Sequence, residues 1–179
     1  MSGYDNRTEL EVFLTINGVK PASICNFGFG EEYKRLSDMI KVHKKPSVLT
    51  ECGCLFLGRD KKSLSDLLEA DSKTGLEKDY YVGIALGYPE EAVYNYIMNH
   101  NNSTLSWDYF LHLRKAKSYG IEPPKALAYI SYVPEEFDLF EGILPEKSLK
   151  LGREYMTFTR RNKVGLANRI EEEFKEDLI

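Results

Sequence analysis

Cysteine is scarce: Cys25, Cys52 and Cys54 are too few, and odd in number, for a disulfide framework. That usage fits a reducing compartment, so a cytoplasmic protein is expected. Long apolar runs are missing too, since none approaches the ~18 residues that span a bilayer, and the opening "MSGYDNRTELE" has no apolar signal core. Neither a membrane span nor a secretory leader is expected. An excess of one charge is also lacking, because 24 basic residues meet 28 acidic ones for a formal net charge of −4. No overall field would hold a polyphosphate, which disfavours nucleic acid as a partner. Gly28-Phe29-Gly30 lacks the third glycine of a phosphate-binding turn, and Glu31 and Glu32 would repel an anion there.

What remains is the composition of an ordinary globule, 42% apolar and 29% charged, in which 12 tyrosines dominate the aromatic content. Thr8 and Glu11 can open a short helix, with a strand as the competing reading because of the β-branched content, and Pro21 precedes a strand candidate, "ASICNFGF". Tyr33, Leu36, Met39, Ile40 and His43 fall at helical spacing. Runs 47–51 and 54–58 flank Cys52-Gly53 and read as a hairpin with a two-residue connection. Asp60 can cap the helix that carries Leu64, Leu67 and Leu68.

From about residue 76 the pattern is helical, with one added strand expected at 126–132, where Ala126, Ala128, Ile130 and Tyr132 share a face. Leu149, Gly152, Met156, Thr159, Lys163, Leu166, Ile170 and Phe174 then form a stripe at steps of three and four, with a break expected near Gly165. The fold expected is α+β: a small three- to four-stranded mixed sheet packed against a largely helical C-terminal half. The parts are 1–75, with the hairpin at 47–58, and 76–179, together one compact domain.

Gly87-Tyr88-Pro89-Glu90-Glu91 reads as one helix ending and another beginning, because proline is tolerated at a helix start and carboxylates there face the positive end of the macrodipole. The grammar returns at Pro134-Glu135-Glu136 and at Gly30-Glu31-Glu32, so all three are expected to be helix starts. The order of "SLSDLLEADSKTG", a short helix and "GIALGYPEEAVYNYI" resembles a family of uncharacterised prokaryotic proteins, frequent in methanogens, with a Leu-Gly-Tyr-Pro motif followed by two cysteines. The likeness spans Val19 to Ile97 and rests on Leu86, Gly87, Tyr88, Pro89 and Val93. It implies a fold layout and an archaeal source; Glu91 and Ala92 replace the cysteines, so the family's thiol chemistry is expected to be absent.

Asp108 and His112 lie four apart on one helix, which lets the carboxylate hold one ring nitrogen and leave the other as a base. They are the candidate catalytic pair of a small enzyme. Cys25, Cys52, Cys54 and His43 would make four soft ligands, but C-x-C is not the zinc-knuckle spacing, and neither metal nor cofactor is expected. The dense tyrosines suit an aromatic surface, with Tyr88, Tyr129, Tyr132 and Trp107 as candidate binding residues. The leading expectation is a binding or regulatory protein, homodimeric through the C-terminal stripe, whose partner is a protein or small ligand. Glu171, Glu172, Glu173, Glu176 and Asp177 crowd a helix C-terminus, so that end either frays or meets a cationic surface on a partner or a second copy.

Overall fold

The computed structural model describes residues 6–26, 31–50, 53–99, 105–132 and 134–179, without the side chains at 26, 31–33, 35 and 105–108. The chain divides into two units, Met1–Gly87 and Tyr88–Ile179. The fold is α+β.

In the first unit the strand-like runs become β1 (Ala22–Asn26), β2 (Ser47–Leu49) and β3 (Cys54–Gly58), with β3 central. Both pairings are antiparallel, not mixed, with Cys25 opposite Leu55 and Val48 opposite Phe56. The hairpin connection is longer than the two residues expected. Its closing bonds run from the Thr50 amide to the Cys54 carbonyl, at 2.9 Å, and from the Gly53 amide to Thr50, at 3.0 Å. Gly53 sits at φ 84°, which a side chain would resist.

Helix α1 (Asn6–Ile16) and helix α2 (Glu31–Val42) bring Val12, Ile16, Leu36 and Ile40 onto Cys25, Leu55 and Leu57, which form one buried cluster. The Ser23 hydroxyl donates to the Glu11 carbonyl at 3.0 Å and lies 2.5 Å from that of Thr15, tying α1 to β1. Helix α3 (Lys61–Asp71) packs on β3 and on α4 (Gly75–Ala85). Asp60 caps α3 as expected, accepting from the Ser63 amide at 2.8 Å. That capping bond is the main reason its carboxyl lies below the usual range.

The second unit contains α5 (Glu90–Met98), α6 (Leu105–Ser118), α7 (Glu146–Asn162) and α8 (Val164–Asp177). Segment 126–132 is no strand: Lys125–Tyr129 is a 3-10 helix whose Ala126, Leu127, Ala128 and Tyr129 are all buried. No other strand of the second unit is described for it to pair with. The small side chains serve instead to let α7 approach at Gly152. The break between α7 and α8 falls at Lys163, with φ −153° and ψ 63°, not at Gly165. Lys163 is the polar interruption of the stripe, and turning the chain there keeps its charge out of the core. Leu149, Gly152, Thr159, Leu166, Ile170 and Phe174 are all buried within this unit. The stripe is therefore unavailable as the dimer face expected from it.

Glu135 corrects a second expectation. Residues 134–137 form bends rather than a helix, and the Glu135 carboxylate instead accepts from the Lys147 and Ser148 amides, at 2.7 and 3.0 Å, in the first turn of α7. The doublet does meet first-turn amides, but those of a helix twelve residues on. The Ser148 hydroxyl bonds its second oxygen. Replacing Glu135 by Ala should cost about 1–2 kcal/mol, while Gln, which keeps an acceptor, should lose less; chemical denaturation of the two variants makes the comparison. At the other doublet, Pro89 precedes α5 as expected, and Lys147 bonds Glu91, which holds that carboxyl below its ordinary value.

The acidic end of α8 meets a cation from its own chain: the Arg114 side chain on α6 donates to the Asp177 carbonyl at 2.5 Å. Phe174 and Leu178 are buried beside it. Among the described residues no helix is long and apolar enough to cross a membrane.

Candidate functional site

Helix α6 buries Tyr109, Leu113 and Ala116 along one face. Its neighbouring face carries His112, Lys115 and, just past the helix, Tyr119. A tight loop from 138 to 143 meets that face. Asp138 and Ile143 exchange both backbone bonds, at 2.9 and 2.8 Å, and the Asp138 carboxylate accepts from the Phe140 amide at 2.9 Å. Gly142 completes the turn at φ 73°. The Leu139 amide donates to His112 Nε2 at 3.2 Å, pinning the loop to the helix while the Leu139 side chain is buried.

The result is an aromatic cluster of edge-to-face contacts, the geometry ring quadrupoles favour. The His112 ring lies 5.1 Å from Phe137 and 5.5 Å from Phe140; Phe140 lies 5.8 Å from Tyr119, with Lys115 Nζ 5.5 Å from its centroid. Phe140 is nonetheless 39% exposed and Tyr119 72%, with Leu111 and Ile143 more than half exposed nearby. A rigid loop here holds an apolar ring in water.

The candidate residues named above separate. Trp107 and Asp108 have side chains outside the described residues, so the Asp108–His112 contact falls there too. His112 Nε2 serves as acceptor to the Leu139 backbone amide. The described carboxylate nearest it is Asp138, at 3.9 Å. Tyr88 and Tyr132 come together, with centroids 4.3 Å apart. Burial drives the Tyr132 hydroxyl to a strongly raised pKa, helped by Glu135.

Tyr129 lies elsewhere, fully buried, donating to Glu171 at 2.8 Å; burial and then that carboxylate raise its pKa. Burial alone would raise the Glu171 carboxyl, but the bonds from Tyr129 and from Arg160, at 2.8 Å, prevail and hold it below its ordinary value of 4.5. A carboxyl more acidic folded than unfolded stabilises above its unfolded pKa, and that stabilisation is lost as pH falls through the folded value. Urea midpoints taken from pH 6 downward should therefore decline more steeply below about 4.5 in the parent chain than in Glu171→Gln.

The metal set is not assembled by the described residues. Cys25 is opposite Leu55 while Cys54 is opposite Asn26, so the pleat sends the two thiols to opposite faces of the sheet. Cys52 lies outside the described residues and His43 is exposed. No group of three ligating side chains occurs among the described residues.

Phe137 and Phe140 were not singled out by sequence reasoning. The signal was there: Asp138 followed four residues later by Gly142 is turn chemistry, overlooked because Pro134-Glu135-Glu136 read as a helix start. No family model, curated protein or solved structure matches the chain.

Proposed function

We propose that this is a binding protein whose working surface is the aromatic patch of His112, Tyr119, Phe137 and Phe140. Its partner is a protein segment that offers an apolar side chain to Phe140 with a carboxylate beside it for Lys115. The observation that carries this reading is the restraint of an exposed ring: the Phe140 loop is closed by a backbone bridge, an Asp138 cap and the His112 bond. A surface held rigid before contact loses less entropy on association. The scarcity of cysteine, three residues in the chain, supports a cytoplasmic setting. The enzyme reading has less support, because the nitrogen that would act as base is engaged by the Leu139 amide.

Peptides selected from a random library on the full chain should bind Phe140→Ala at least tenfold more weakly, with its melting temperature little changed, since such truncations at an interface centre cost about 2 kcal/mol or more. Equal binding by both chains would refute the proposal. A homodimer that pairs these patches would sediment as a monomer in Phe140→Ala.

A further inference from the structure

A cavity of about 460 Å³ opens in the same unit between the 3-10 helix, α8 and the turn after α6. Its volume lies in the range that small-ligand pockets occupy. The floor is apolar, with Ala128, Phe174 and Leu178 all buried, and three lysines line it: Lys117, Lys125 and Lys175.

Two side-chain carboxylates also line the cavity, and both are committed. Glu122 takes the Lys117 ammonium, and Glu171 takes Arg160 and the Tyr129 hydroxyl. Lys125 acts on Glu171 only at longer range, and neither Lys125 nor Lys175 makes an ion pair within 4 Å among the described residues. An apolar floor under two uncommitted ammonium groups is the complement of one kind of molecule.

We infer that this cavity binds a small anionic amphiphile: a hydrocarbon chain on Ala128, Phe174 and Leu178, and a carboxylate or similar headgroup between Lys125 and Lys175. The site is distinct from the aromatic patch and does not depend on it. A lysine ammonium recognises such a headgroup as a point charge, so charge should matter more than the headgroup's shape.

Isothermal titration of the full chain with sodium decanoate below its micellar concentration tests the inference. One saturable site per chain is expected, tightening about fourfold for each methylene added from octanoate to decanoate. Lys125→Glu/Lys175→Glu, two exposed positions, should weaken decanoate at least tenfold and leave decanol unaffected, while Phe140→Ala should bind decanoate normally. Absence of saturable binding, equal affinity for decanol and decanoate in the parent chain, or an unchanged affinity in the double charge reversal would each overturn it. So would binding confined to vesicles of phosphatidylglycerol, which would indicate a membrane surface instead of a free amphiphile.

Discussion

Replacing Lys20 by Met should destabilise the first unit by about 3–5 kcal/mol. Lys20 is fully buried, and its ammonium contacts the Glu11 carboxylate on α1, itself only 8% exposed. Just past α1, the Val19 and Lys20 amides both donate to the Leu14 carbonyl, which turns the chain so that the Lys20 stem runs into the interior. Methionine preserves much of that stem, so volume is not the issue. The loss comes from leaving a buried carboxylate without the cation that offset its desolvation. Removing both charges, as Lys20→Met/Glu11→Leu, should recover most of the stability, because apolar replacement of a whole buried pair is often neutral. Urea unfolding of the two variants, with hydrogen exchange of the α1 amides to localise the effect, checks this. A single-variant loss under about 1 kcal/mol would show the pair to be solvated.

Gly152→Ala should lower stability by about 1–3 kcal/mol, although helix propensity taken alone favours alanine by about 1 kcal/mol. Steric contact decides the sign. A Cβ on Gly152 would lie 2.3 Å from the Ala126 carbonyl oxygen and 2.9 Å from its carbon. Those are backbone atoms of the 3-10 helix that holds Tyr129 in the core, so no flexible side chain can swing aside. The helix axes would have to separate along the length of the contact. Gly165 is the matched control, because a Cβ there meets only an Arg169 guanidinium nitrogen, at 4.0 Å. Gly165→Ala should be neutral or slightly stabilising, and thermal denaturation of the pair separates packing from propensity.

These two sites show what was legible in the chain. Leu36 and Ile40 in α2, the short apolar run of β3 and the Asp60 cap are local patterns, and the structure carries each of them. Local grammar failed where distant partners decide. Ala126 and Ala128 alternate as in a strand, yet Gly152, 26 residues beyond Ala126, turns them into the seat of a helix. Glu135 follows a proline as a helix-opening acid should, but the amides it accepts belong to Lys147 and Ser148. Lys20 carries no local sign of its burial, because its partner Glu11 lies on the preceding helix. For the candidate site, His112 was legible as an unusual residue on α6, but its Nε2 is used by the Leu139 amide, a contact between elements that spacing along one helix does not reveal. Of the tyrosines expected at a surface, Tyr129 is core, while the exposed rings beside His112 are Tyr119 and Phe140.

The central claim is that recognition runs through the loop of Phe140 and the α6 face beneath it. The most direct measurement is an amide NMR titration of the full chain with a peptide selected on it. Shift changes concentrated at 111–119 and 137–143, and absent in Phe140→Ala, are the predicted result. Changes centred on Tyr88 and Tyr132, with residues 137–143 silent, would contradict it.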